Sequence, residues 1–316
     1  ILEACYPAMV RWIAYQEKTS CNHLRPATGY GDWLAIDAVT PQNAPVPRDL
    51  VGTAYFAYTT QLMERIATVL GRRDDALGFR RLHGRIVQAF RRAYVTPEGR
   101  VVGHCQTGYL LALAFDLLPP PVRPKAVSHL IELIRVRDWH LTTGFVGTPL
   151  LCPVLTRFGR TDIAYRLLLQ DTYPSWLYTI KNGATTMWER WNSYTKEHGF
   201  GPVDMNSFNH YAYGAIGEWM YAVIGGIRPL APGFKRILFA PEPGGGLRSA
   251  EATLETPHGR AQCRWKLSGK NLAIGLTVPS GTSARLELPP GFLAQGPKTI
   301  PPGRHEFLVR SSKVGT

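Results

Sequence analysis

What the chain lacks narrows the field first. No apolar run approaches the roughly 20 residues that a membrane-spanning helix requires, so no membrane partner is expected. Cysteine is sparse: Cys5, Cys21, Cys105, Cys152 and Cys263 are scattered, odd in number and form no CxxC pair. That spacing offers neither a zinc ribbon nor a disulfide framework. Isolated thiols in a reducing compartment are the expectation, and no metal or other cofactor is called for. Acidic residues are outnumbered, 23 Asp and Glu against 36 Lys and Arg, for a formal net charge of +13. The basic residues are spread and no stripe of them alternates with aromatics, so nucleic acid is not an expected partner. The opening residues, ILEACYPAMVRW, hold no initiator Met, no basic n-region and no small-residue cleavage site. The expected setting is cytoplasmic, with any signal lying upstream of residue 1.

What is present reads as two textures. The 316 residues exceed the roughly 250–300 that a single core accommodates, so two domains are expected. Leu2, Tyr6, Met9, Val10 and Ile13 recur at helical spacing over 1–18. A long loop rich in Pro, Gly, Asn and Asp covers 20–49, and such loops inside compact domains are usually functional. Helices are expected near 50–70, with Gly71 as its stop, then 76–95, 106–117, 122–136, 147–158, 161–172 and 207–225. The stretch 174–206 reads as a long irregular linker. After Ile227, Pro and Gly punctuate short alternating runs at 235–240, 249–255, 259–267, 272–278, 284–288 and 305–309, the pattern of a β-sandwich. The expected division is therefore 1–227, helical, and 228–316, β. About eight helices in pairs suit an (α/α) toroid, a plain bundle or a solenoid alike.

Three segments concentrate chemistry. In NGATTMWERWNSY (182–194) a single acid, Glu189, stands between Trp188 and Trp191. Indole faces stack on pyranose rings, and a carboxylate beside them activates water or protonates a leaving oxygen. The competing reading is a helix-start Glu among core tryptophans. In GYGDW (29–33), Asp32 and Trp33 sit in the long loop, where a Gly–Asp pair also suits a simple turn. In NSFNHYAYGAIGEW (206–219), Asn206 or Ser207 caps a helix whose first turn carries His210, either a donor to a sugar hydroxyl or a structural imidazole. Glu218, two turns on, reads as a packing or salt-bridge residue.

The strings HLTTGFVGTP (140–149), YPSWLYTIKNGATTMWERWNSY (173–194), SFNHYAYGAIGEWMY (207–221) and PGFKRILFAPEPGGGL (232–247), with GDWL (31–34), resemble in order and spacing the bacterial α-L-rhamnosidases of glycoside hydrolase family 78. The resemblance covers essentially the whole chain. It implies an (α/α)6 toroid followed by a C-terminal β-sandwich, and inverting hydrolysis of terminal α-L-rhamnose from a rhamnose-containing glycoside or glycan. It implies Glu189 as general base, His210 near the rhamnose, and Asp32, Trp33 and Trp188 in motifs lining the sugar pocket. Two departures accompany it. No string resembling DGxxRDExxWxGD, which carries the family's general acid, occurs here, and about eight helices stand against twelve. Both imply a toroid incomplete on its N-terminal side, a chain belonging to a longer enzyme and holding half of the catalytic pair. Another toroidal glycosidase remains an alternative: a 6-deoxy sugar needs an apolar wall where a 6-hydroxyl needs a donor. A non-catalytic sugar-binding protein is the other.

Overall fold

Helical periodicity becomes three antiparallel hairpins in the computed structural model, which describes residues 1–292 and 299–311. After α1 (Leu2–Lys18) come α2 (Arg48–Val69) with α3 (Arg73–Tyr94), α4 (Gln106–Ala114) with α5 (Arg123–Arg135), and α6 (Thr148–Arg157) with α7 (Thr161–Leu168). The first helix of each hairpin also meets its counterparts, α4 touching both α2 and α6. These three form an inner row, and their sequences show why. Every residue from Gln106 to Leu113 of α4 is buried, so this helix has no solvent-facing side over that stretch. The outer α3 is one-sided: Leu82, Ile86, Val87, Ala89 and Phe90 are buried, while Arg80, Arg81, Arg85 and Arg92 face solvent. Gly71 ends α2 at φ +72°, a left-handed turn that glycine adopts without penalty, and Arg72 N–H closes onto Ala67 O at 2.8 Å.

Because the hairpins are antiparallel, the loops 19–47, 95–105 and 136–147 all deliver the chain to N-terminal ends of inner helices. They gather at one end of this unit. The next segment departs from the irregular linker expected over 174–206. It holds a short helix α8 (Trp176–Lys181), capped by Ser175 Oγ accepting Tyr178 N–H at 3.2 Å, and a two-strand hairpin, β1 (Tyr194–Thr195) with β2 (Gly199–Phe200). The helix expected over 207–225 also differs. Residues 207–211 are irregular, with bends at 208–209, and helical turns begin only at Ala212 and run through α9 (Ile216–Trp219) to a wide π turn at Met220–Ile224. The backbone of 207–210 is already bonded to 186–189, leaving those groups unavailable to a helix.

Contacts divide the chain into Ile1–Tyr213 and Gly214–Thr316, so the helical turns of 216–224 go with the strands. In this second unit, β3 (Ile227–Pro229), β4 (Arg236–Phe239) and β8 (Ser283–Leu286) make a mixed sheet, with β4 and β8 parallel. The strands β5 (Ser249–Thr256), β6 (Gly259–Ser268), β7 (Asn271–Val278) and β9 (Gly303–Arg310) make an antiparallel one. Period-2 alternation sends Ala261, Cys263 and Trp265 of β6 and Leu272, Ile274 and Leu276 of β7 inward. The Trp265 indole N–H donates to Ile224 O at 2.7 Å. Glu218 is exposed and joins no salt bridge among the described residues, contrary to the packing or ion-pair role read from the sequence.

Candidate active site

The carboxylate singled out in the sequence sits where two irregular segments are held together by hydrogen bonds. His210 N–H donates to Met187 O at 2.8 Å, Glu189 N–H to Ser207 O at 2.9 Å, and Arg190 Nε to Met205 O at 3.0 Å. Thr186 Oγ1 closes the other end on Phe208 O. Glu189 then folds one oxygen back, Oε2 accepting Ser207 N–H at 2.8 Å. Its Oε1 has no partner among the described residues, and the side chain is half-buried. Half of the carboxylate is thus fixed and half is open to water.

His210 belongs to the same pairing. Its Nδ1 accepts Ala212 N–H at 3.4 Å, so the imidazole itself, rather than Asn206 or Ser207, caps the helical turns that follow. Asn206 instead donates to Ser193 O at 2.9 Å, and Ser207 Oγ accepts Asn209 N–H. An accepting Nδ1 puts the proton of a neutral ring on Nε2, leaving an N–H donor with no protein partner among the described residues. The ring lies against Phe145, centroids 4.7 Å apart. Phe145 N–H donates to Trp33 O at 2.9 Å, and its ring also meets Tyr213 edge-on at 5.3 Å. The structure therefore links the Trp33 loop, the 144–147 loop and the Glu189–His210 pair through Phe145. The HLTTGFVGTP string marks Phe145 only weakly, as a lone aromatic between Gly144 and Gly147.

The three indoles divide. Trp33 is half-buried, with Tyr30 edge-on at 5.6 Å. Trp188 is buried against Phe208, and Trp191 is buried in a stack with Tyr213 at 4.0 Å and edge-on to Trp176 at 5.3 Å. The tryptophans beside Glu189 are thus core supports for the segment, and only Trp33 keeps an accessible face. Burial pushes the Tyr213 hydroxyl far up, with Asp32 adding to the shift.

Asp32 departs furthest from expectation. It is completely buried. Oδ1 accepts Val146 N–H at 2.8 Å and Gly147 N–H at 3.1 Å; Oδ2 accepts Gly144 N–H at 2.9 Å and the Thr107 hydroxyl. Four donors fill the roughly four acceptor positions of a carboxylate, so none remains for a sugar hydroxyl. Burial raises the Asp32 carboxyl above its ordinary value, while the same four bonds favour the charged form. The expectation that Asp32 lines the pocket is corrected: it anchors a loop behind it.

A cleft of about 260 Å³ opens beside the zipped segments, between the 34–41 loop and Tyr173, Arg190, Trp191, Asn192 and Tyr213. Neither Glu189 nor His210 lines it; Glu189 precedes Arg190, which does, and His210 rests on Phe145, whose ring also meets the lining residue Tyr213. Among the described residues, no cluster of three His, Cys, Asp or Glu side chains is arranged to hold a metal.

Three hairpins around an inner row of buried helices, with an acid and an imidazole presented where their N-terminal loops gather, suit part of a toroidal helical-hairpin domain. The model of the bacterial α-L-rhamnosidase six-hairpin glycosidase domain matches residues 1–224, and that of the bacterial α-L-rhamnosidase C-terminal domain matches 226–298; the chain belongs to this family. It is 46% identical over 289 residues to an α-L-rhamnosidase of Streptomyces avermitilis, covering 92% of this chain and 27% of that one. It is 45% identical over 292 residues to an α-L-rhamnosidase of Formosa agariphila, covering 92% and 31%. The crystal structure of Streptomyces avermitilis α-L-rhamnosidase complexed with L-rhamnose superposes at a TM-score of 0.87 and 43% identity, over 98% of this chain and 30% of that one. The chain thus spans about three-tenths of the length of these relatives.

Proposed function

We propose that this chain carries the general-base half of an inverting α-L-rhamnosidase. The observation that supports it is the pairing of 186–190 with 205–210, in which Glu189 keeps one oxygen on Ser207 N–H and the other unengaged, beside His210. In this reading Oε1 takes a proton from water as that water attacks the anomeric carbon. The glycosidic C–O bond breaks on the opposite face, and the leaving oxygen receives a proton from a second carboxylic acid, which in inverting enzymes stands about 6.5–9.5 Å from the base. No residue of this chain is assigned that acid. His210 Nε2–H donates to a sugar hydroxyl, and Trp33 offers its accessible indole face to the ring. The substrate is a rhamnose-containing glycoside or glycan, a reading supported by the relative solved with L-rhamnose.

The test is to follow an aryl α-L-rhamnoside by proton NMR with the full-length protein. The expected first product is β-L-rhamnose, which then mutarotates. First release of the α anomer overturns the inverting assignment, and no release overturns the hydrolase reading.

A further inference from the structure

Asp32 and Glu189 are both acids in chemically rich segments, yet their surroundings are opposite. Asp32 has no exposed atom and no spare acceptor position; its donors come from the first turn of one inner helix and the loop that leads into another. Thr107 lies in the first turn of α4, and Gly144, Val146 and Gly147 immediately precede α6. A carboxylate there faces the positive ends of both helix dipoles, which favours its charged form and ties the two N-termini to one group. The loop it holds has no slack. A Cβ on Gly144 would overlap the Trp33 carbonyl oxygen, and one on Gly147 would overlap the Thr107 hydroxyl.

Between those two glycines stands Phe145. Its backbone N–H is on Trp33 O, and its ring supports the His210 imidazole at 4.7 Å. The same buried carboxylate thus precedes Trp33 in the chain and, through three amides, fixes the residue on which His210 rests. We infer that Asp32, with Thr107 and Phe145, is a positioning device that sets His210 and Trp33 relative to one another for sugar binding. The inference rests on the rhamnosidase reading above, since it takes Trp33 and His210 as the sugar-contacting groups. Loosening the anchor leaves Glu189 on Ser207 N–H undisturbed, because no member of the anchor touches that bond. The effect therefore falls on substrate affinity before it falls on water activation.

Thr107 offers a probe gentler than Asp32 itself. Thr107→Val keeps shape and removes the hydroxyl, taking one of the four donors from Asp32; Thr107→Ser keeps the hydroxyl. In the full-length enzyme, Thr107→Val is expected to raise KM for an aryl α-L-rhamnoside on the order of tenfold with a smaller loss in kcat, since misplaced ground-state contacts appear in KM. Thr107→Ser is expected to restore KM to within about twofold of wild type. Phe145→Leu, which keeps the backbone bonds but removes the ring under His210, is expected to repeat the KM effect. Thr107→Val that lowers the melting temperature while KM and kcat stay at wild-type values overturns the inference and leaves Asp32 a structural anchor alone. Equal KM in the Val and Ser variants, both raised, also overturns it. Wild-type enzyme inactive on every rhamnoside overturns the functional reading on which the inference stands, a different outcome from an active wild type with unaffected variants.

Discussion

The two units bury their interiors differently. Thirteen polar or charged side chains are buried among the described residues; twelve of them lie in Ile1–Tyr213, and only Thr282 lies in the second unit. The helical unit spends these groups where its loops gather: Asp32, Gln106, Thr107, Thr142, Thr143 and Thr148 lie together in sequence clusters, and most are bonded to one another or to nearby backbone. The β unit instead buries Ile237, Phe239, Cys263, Trp265, Ile274 and Leu276. An unsatisfied buried polar group costs about 1–3 kcal/mol, so a network of them persists only where each finds a partner, and the partners then fix geometry. The helical interior is thus built to hold loops in place, and the β interior to exclude water.

That contrast can be broken most sharply at Glu189. Glu189→Gln keeps an acceptor for Ser207 N–H but cannot take a proton from water. A loss in kcat of about 10²- to 10⁴-fold with an unchanged melting temperature is expected in the full-length enzyme. Near-normal kcat with a lowered melting temperature would reassign Glu189 to loop anchoring. Trp265→Ala in the β unit should do the reverse. It empties a buried site and removes the bond to Ile224 O, for about 3–5 kcal/mol of that unit's stability, while kcat/KM measured well below the new melting temperature stays within about twofold. A large kinetic effect from Trp265→Ala would mean that the β interior also serves the site.

Smaller effects sharpen the comparison. Trp33→Ala removes an accessible stacking face and is expected to raise KM roughly tenfold while lowering kcat less, because stacking holds substrate and transition state alike. A loss confined to kcat would contradict this. The smallest effect concerns pH. His104 is held below the usual imidazole value by burial first, then by Arg100 and His129, and its Nδ1 meets the Tyr109 hydroxyl at 2.7 Å. The folded chain binds fewer protons there than the unfolded chain does. Its contribution to stability is therefore complete above the unfolded imidazole value of about 6.5 and is lost as pH falls below it toward the lower folded value. The melting temperature of His104→Gln should decline less than that of wild type between pH 7.5 and 5.0, and parallel curves would remove His104 from the account.

Much of this arrangement was legible in the residues. The apolar spacing marks α1 through α7, Gly71 marks a stop, and the runs after Ile227 mark most of the strands. Where the reading fails, the backbone was engaged elsewhere. The 207–211 stretch has helix-compatible composition, but pairing with 186–190 claims its N–H and C=O groups before a helix can. Trp188 and Trp191 flank an acid and suggest two stacking platforms, yet both are buried against Phe208, Tyr213 and Trp176. Phe145 gave only the weak signal of an aromatic among glycines, since its part lies in what it touches.

By itself, the sequence determined α1 through α7 and most of the strands after Ile227, the change of texture near 227, and the candidacy of Glu189 and His210. These follow from periodicity and side-chain chemistry, which are local. The tertiary structure alone decided that Asp32 is an anchor. A carboxylate's role depends on how many donors reach it, and its four come from positions 107, 144, 146 and 147, drawn together only when the N-terminal ends of α4 and α6 meet.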